Sequence, residues 1–257
     1  MIDNTQTETE LERQAPKETE RFDVAIIGAG PAGMSAALGA ARANLNVLLI
    51  EKALPGGETS TACKISNYIG FPKGILGEDL GKRMEDQLND YPTITHVCES
   101  VTDILNISDK EKIIKTSLDS EYKCQAIIFA LGLEPKRLDT NFERQFLGRG
   151  VSYYARGDVE FHHEEDVMVI GGGNCACYAA DYLSNFVNKV YMVHSKDHLR
   201  AVKSIKQSVE TNPKIDIFWD SKVSEVFGID RVEKAKVENT VNSQHTWLDV
   251  KGIFVYV

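Results

Sequence analysis

The chain carries one folding unit twice: an apolar strand run, a glycine-rich turn, a helix of small residues and a second apolar run. Phe22-Asp23-Val24-Ala25-Ile26-Ile27 leads into Gly28-Ala29-Gly30-Pro31-Ala32-Gly33, an Ala- and Leu-rich stretch from Ala32 to Ala43, and Val47-Leu48-Leu49-Ile50 capped by Glu51. Asp166-Val167-Met168-Val169-Ile170 leads in the same way into Gly171-Gly172-Gly173-Asn174-Cys175-Ala176, with Val190-Tyr191-Met192-Val193 beyond. Runs this continuously apolar suit strands buried on both faces, as in a parallel sheet flanked by helices. The repeat therefore points to an α/β fold with two Rossmann-like, three-layer domains.

The turns carry chemistry as well as geometry. In the first, Gly28 permits the tight turn, Gly30 lets backbone approach a pyrophosphate, and Gly33 lets helix and strand pack closely. The helix start then offers free N–H groups and a positive dipole end to phosphate. Glu51 ends the next strand, where it can accept hydrogen bonds from a ribose. The second turn reads Gly-x-Gly-x-x-Ala through Gly171, Gly173 and Ala176, but no acid follows its second strand. His194, Lys196 and Arg200 stand there instead, a cationic group suited to a 2′-phosphate, so NADPH is expected in preference to NADH. Two dinucleotide units in one chain imply electrons passing from a nicotinamide to a flavin.

Composition removes other classes. The 257 residues suit two nucleotide-binding units, and a net charge of −9 with no basic patch argues against nucleic acid and anionic membranes as partners. No apolar run is long enough to cross a bilayer. Residues 1–21 are polar and acidic, without the apolar core of a signal peptide, and read as a disordered tail. Five scattered cysteines fit a reducing compartment better than a disulfide framework, which places the protein in the cytoplasm.

From Phe22 to Val257 the chain resembles the low-molecular-weight thioredoxin reductase family. The resemblance rests on the two turns and on Ala41-Arg42-Ala43-Asn44-Leu45, Gly56-Gly57 with Asn67-Tyr68-Ile69-Gly70-Phe71-Pro72, and Ala130-Leu131-Gly132. Gly148-Arg149-Gly150-Val151-Ser152, the run Val193–Ala201 and the closing Gly252-Ile253-Phe254-Val255-Tyr256-Val257 complete it. It implies an FAD domain over 22–133 and an NAD(P)H domain over 137–255 inserted into it, with Pro135 in the crossing segment. It also implies a homodimer, and an acceptor that is a small redox protein or small molecule. By the same resemblance Pro31, Ala32, Lys52, Gly57, Asn67, Ala130 and Gly132 join Gly28, Gly30, Gly33 and Glu51 at FAD. Asn174 joins the second turn at the nicotinamide cofactor.

Three departures qualify the resemblance. The family's redox Cys-x-x-Cys-Asp is here Tyr154-Ala155-Arg156-Gly157-Asp158, with only the aspartate retained. Thiol–disulfide exchange needs an attacking and a resolving thiol, and tyrosine with glycine supplies neither. Tyr154 is expected beside the flavin as bulk or as a stacking ring, with Asp158 near it, and Cys63 is the candidate substitute thiol. Cys175 and Cys177 lie near a helix start, but two residues apart they diverge in direction and read as packing residues. At the phosphate site, Ser195 and Lys196 stand where the family shows arginines, which weakens recognition. Finally, Val257 falls where the family chain would return to the FAD domain, so an exposed apolar face and an incomplete sequence are expected.

Elsewhere, Leu80, Met84 and Leu88 mark an amphipathic helix over 77–89, and 101–129 reads as strands with turns at 108–110 and 119–120. Residues 214–257 read as a small meander on the second sheet. His162-His163 beside Glu164-Glu165 reads as a polar turn, not a metal site. The leading reading is an FAD-dependent NAD(P)H oxidoreductase without the usual dithiol. A ferredoxin- or flavodoxin-NADP reductase-like enzyme and a non-catalytic nucleotide-binding scaffold are the alternatives.

Overall fold

A computed structural model describes residues 21–257. The expected tail therefore lies outside the described residues, save Arg21, which opens the first strand. The chain divides into two compact units. One contains the described residues through Leu54 and Gln87–Leu131, and the other contains Pro55–Asp86 and Gly132–Val257. The stretch from Pro55 to Asp86, which the resemblance assigns to the FAD domain, thus clusters with the second unit.

In the first unit, β1 (Arg21–Ile27), β2 (Val47–Glu51), β3 (Ile94–Cys98), β4 (Val101–Ser108), β5 (Glu111–Thr116) and β6 (Glu121–Phe129) form one sheet in the order β3-β2-β1-β6-β5-β4. The first four of these are parallel, and β5 and β4 add as antiparallel strands. Helix α1 (Pro31–Arg42) makes the crossover from β1 to β2 and turns Gly33, Met34, Ala37 and Ala41 inward. The i, i+3, i+4 spacing and the small side chains let it lie close on the strands. Ile27 pairs with Ile50 on one side and with Phe129 on the other. The carboxyl ends of β1, β2 and β6 therefore lie level, with Gly28 and Ala130 following β1 and β6 and Glu51 closing β2. Ile26, Leu48, Leu49 and Ile50 are fully buried beneath that edge, each contributing about 1.5–3 kcal/mol of apolar burial. At the end of β6 Phe129 is 60% exposed, and beyond it Leu131 is 69% exposed.

The second unit begins with the short helix α2 (Glu58–Thr61) and α3 (Gly77–Leu88), whose last two residues fall to the first unit. After Gly132 follow α4 (Asn141–Phe146), β7 (Val151–Ser152), α5 (Ala155–Asp158), β8 (Asp166–Ile170), α6 (Asn174–Leu183), β9 (Lys189–Val193), α7 (Lys203–Thr211) and β10 (Ile215–Phe218). A meander of β11 (Ser221–Phe227), β12 (Lys234–Asn239) and β13 (His245–Leu248) precedes β14 (Gly252–Val255). The parallel sheet runs β10-β9-β8-β14-β7. One face packs on α6 and α7 through Val167, Val169, Ala176, Ala180, Leu183 and Val209, and the other on α4 and the meander through Met168, Phe142, Phe146, Ala235 and Val237.

Two expectations are corrected here. The meander is confined to β11–β13, whereas β10 and β14 belong to the parallel sheet. All four residues of β14 are buried, as a strand between two parallel neighbours requires. Within the stretch read as a polar turn, residues 163–164 do form an exposed turn, but His162 is buried. It is 5% exposed, lies edge-on to Phe254 and bonds Glu165 at 3.0 Å. A side chain on Gly252 would meet the His162 ring at 2.9 Å, so the bare glycine makes room for it. No helix among the described residues is long and apolar enough to cross a membrane.

Candidate active site

The two glycine turns share one backbone frame. Gly28 N–H donates to Ile50 O at 2.8 Å and Ala130 N–H to Ile27 O at 2.8 Å. In the second unit Gly171 N–H donates to Val193 O at 3.0 Å and Tyr256 N–H to Ile170 O at 2.8 Å. Gly28 adopts φ +104° with the Ala130 carbonyl against it, and Gly171 φ +141° with the Tyr256 carbonyl against it. A side chain at either position would be strained and blocked by backbone. Each turn thus sits at the carboxyl ends of the strands, where open parallel sheets bind ligands.

The glycines divide by what surrounds them. A Cβ on Gly33 would collide with the Gly28 carbonyl, so Gly33 serves helix–strand packing. Gly30 and Gly173 face open space within 4 Å. They cap α1 and α6 in extended conformation with no side chain bonding the helix start, and Pro31 fills the first turn of α1. Both helix starts are therefore open to a phosphate, which is the fit a dinucleotide needs. Ala32 is exposed beside Gly30, and Ala176 is buried beneath the second turn. Glu51 accepts from Ala29 N–H at 2.8 Å through Oε2 and from Ala53 N–H at 3.1 Å through Oε1. It ties the turn to its own strand while each oxygen keeps a lone pair for a ribose hydroxyl. Lys52 follows it, exposed.

Other expected flavin residues lie in the second unit. Gly57 caps α2 at φ +52°, Asn67 is exposed in the loop beyond it, and Gly132 adopts φ +66°.

The expected phosphate group separates into two parts. Lys196 and Arg200 are exposed. His194 is 4% exposed, its Nε2 has no partner, and its ring lies where a Cβ on Gly172 would meet it at 2.5 Å. Burial, and then the Arg200 charge, pushes the imidazole below its usual range. His194 is therefore a buried support under the second turn, set apart from the exposed Lys196 and Arg200 with which the sequence groups it. Arg200 N–H donates to Gly172 O, and Val202 N–H to Asn174 Oδ1, both at 2.8 Å. The Asn174 side chain thus fixes the loop that carries Arg200.

The altered segment forms α5, with Tyr154 as its N-cap residue. A Cβ on Gly157 would come within 3.0 Å of the Tyr154 ring, so the ring fills the place where a second side chain would stand. Tyr154 and Gly157 thus pack as one unit. Tyr154 N–H bonds Ser152 Oγ at 2.8 Å, and Ala155 N–H bonds Tyr256 Oη at 3.0 Å. Burial raises the Tyr154 hydroxyl, with the Glu78 charge adding to it. Asp158 lies within electrostatic reach of Tyr154 and Tyr256.

Cys63 is buried in the second unit's core with Ala155, Ala176 and Phe254. Burial pushes its thiol up to about 11, against the opposing charge of Arg156. Arg156 itself pairs with Glu78 at 3.3 Å, and its Nη1 is buried without a partner. Sequence reasoning missed both Arg156 and Tyr256. The duplicated frame held a signal for Tyr256, which follows β14 as Ala130 follows β6.

A family model described as pyridine nucleotide-disulphide oxidoreductase matches residues 22–257. A thioredoxin reductase of Peptoclostridium acidaminophilum is 37% identical over 92% of this chain and 76% of its own length. That of Listeria monocytogenes is 38% identical over 93% of this chain and 74% of its own. Among solved structures, thioredoxin reductase of Lactococcus lactis in its FR conformation superposes with a TM-score of 0.86 at 35% identity, covering 92% of this chain and 77% of that one. The T. acidophilum thioredoxin reductase gives 0.85 at 30% identity, covering 93% and 77%.

Proposed function

The chain belongs to the low-molecular-weight thioredoxin reductase family of pyridine nucleotide-disulphide oxidoreductases, and on that premise we propose how its own residues divide the work. In this reading it is an FAD-dependent enzyme that draws electrons from NADPH and delivers them to an acceptor not served by a thiol on α5. Bound FAD supplies a two-electron centre able to take hydride from a reduced nicotinamide. Gly30 and the start of α1 hold the FAD pyrophosphate, and Glu51 its ribose. Gly173 and the start of α6 hold the NADPH pyrophosphate, with Lys196 and Arg200 on the 2′-phosphate. With one arginine fork and one point charge there, NADH is a weaker alternative donor.

The shared backbone frame of the two turns is the observation that carries this reading, because a frame repeated to the hydrogen bond supports two bound dinucleotides. Tyr154 and Gly157 remove disulfide exchange from α5, since neither side chain can form a mixed disulfide. The acceptor class is a small redox protein such as thioredoxin, or a small molecule.

The test is reconstitution of the purified chain with FAD, followed by anaerobic NADPH titration. Retained yellow colour that bleaches with NADPH is the expected result. A chain that takes up no flavin overturns the enzyme reading and leaves the nucleotide-binding scaffold.

A further inference from the structure

We propose that Cys63 and Cys175 form the redox-active thiol pair of this chain, in place of the thiols absent at Tyr154 and Gly157. The inference deepens the functional reading above and rests on it for the source of electrons.

Three observations bring the two thiols close within the second unit, and a fourth concerns Cys63 itself. Cys63 packs in the same core cluster as Ala176, the residue after Cys175. Three residues past Cys63, Ser66 Oγ bonds the hydroxyl of Tyr178, which stands three residues past Cys175, at 2.6 Å. The 63–66 stretch is therefore pinned along the first turn of α6. Both thiols lie within electrostatic reach of each other and of Tyr256. Finally, the Arg156 guanidinium acts on Cys63 and has an unpartnered buried nitrogen, Nη1, a donor suited to a thiolate.

The pair differs in access as an exchange pair should. Cys175 is exposed and Cys63 is buried, so Cys175 meets the substrate and Cys63 resolves. A disulfide needs Cα atoms within about 7 Å, and Cys63 lies outside any helix or strand, where the backbone can meet that demand. Cys177, two residues from Cys175, is buried on the sheet side of α6 and takes no part.

The cycle balances with a disulfide substrate R–S–S–R′ and NADPH. Two electrons and two protons, from NADPH and H⁺, cleave the Cys63–Cys175 bond to two thiols and leave NADP⁺. Cys175 loses its proton and attacks one substrate sulfur, and R′S⁻ leaves and takes up that proton. Cys63 loses its proton and attacks the Cys175 sulfur, and RS⁻ leaves, is protonated, and restores the internal disulfide. The net change is NADPH, H⁺ and one disulfide to NADP⁺ and two thiols.

The experiment uses the whole chain without added cofactor. It is treated with diamide, its free thiols are counted, and its peptides are mapped by mass. Two of the five thiols should disappear together, a Cys63–Cys175 cross-linked peptide should appear, and dithiothreitol should reverse both. Cys175→Ser, at an exposed position, should abolish the cross-link without moving the melting temperature, whereas Cys177→Ser should leave it intact. Five surviving thiols, or a cross-link joining other cysteines, overturns the proposal. The readout is independent of flavin: a chain that bleaches with NADPH but never cross-links keeps the proposed function and loses this pair. One that cross-links but takes up no flavin does the reverse.

Discussion

Adding one methyl group at Gly157 tests whether Tyr154 and Gly157 are a single packing unit. A Cβ there would stand within 3.0 Å of the Tyr154 ring carbons, and the ring is half-buried, with its backbone N–H tied to Ser152. Overpacking of this kind costs about 1–3 kcal/mol. Replacing glycine by alanine inside a helix returns up to about 1 kcal/mol. Gly157→Ala alone should therefore destabilise by about 1 kcal/mol. With Tyr154→Ala already in place the obstacle is gone, and the same change should stabilise by about 0.5–1 kcal/mol. The sign reverses, and the coupling between the two positions is about 2 kcal/mol, within the range seen for residues in contact. Urea unfolding followed by intrinsic fluorescence reads this directly, because a slope of about 2 kcal/mol per M converts 1 kcal/mol into about 0.5 M of midpoint. If Gly157→Ala is neutral or stabilising in the unaltered chain, the ring moves aside freely and the packing argument fails.

The remaining expectations concern the two turns and the buried thiol. Gly33→Ala should unfold the first unit's turn and lower the melting temperature, because its Cβ meets a backbone carbonyl, whereas Gly30→Ala should fold normally and lose FAD affinity in a fluorescence titration. Lys196→Ala with Arg200→Ala should weaken NADPH binding by about 10-fold or more relative to NADH, at about 1.5–3 kcal/mol for a lost charge-assisted contact. His194→Ala should lower stability and leave that preference unmoved, because its ring is buried and neutral. For Cys63, a folded value of about 11 against 9.0 unfolded means its stabilising share is present below pH 9 and lost as the pH rises from 9 to 11. Cys63→Ala should flatten part of that alkaline decline, and at pH 8 native Cys63 should alkylate about 100-fold more slowly than an ordinary thiol.

The architecture was legible because the two turns impose it. Each required strand, turn, helix and strand in a fixed order, and the apolar runs left little choice but buried parallel strands. The meander boundary was less legible because Gly252-Ile253-Phe254-Val255 is too short for its period to separate a buried strand from a half-buried one. The candidate site was legible where its geometry depends on backbone. Gly28, Gly30 and Gly33 need only their spacing to be found, and Glu51 only its place at a strand end. It was illegible where function depends on which side chains meet across the fold. His194 reads as a cation beside Lys196, yet a bare Gly172 admits its ring beneath the turn and makes it a neutral support. Arg156 carries no signal of its own in the sequence, yet the fold sets its charge against Cys63.

Those cases share a physical cause, and it bears on the Tyr154–Gly157 segment. Removing a side chain at one position, as at Gly172, Gly252 or Gly157, creates space that a distant or neighbouring ring then occupies. The Tyr154 ring over Gly157 closes α5 to thiol chemistry sterically as well as chemically, since a cysteine restored at 157 alone would strike the ring. A thiol pair at positions 154 and 157 would therefore need both residues changed together. A thiol pair assembled elsewhere in the unit faces no such barrier: Cys63 and Cys175 already lie on elements joined by the Ser66–Tyr178 bond. Any disulfide chemistry in this chain therefore needs an exchange site outside α5, which is the role proposed for Cys63 and Cys175.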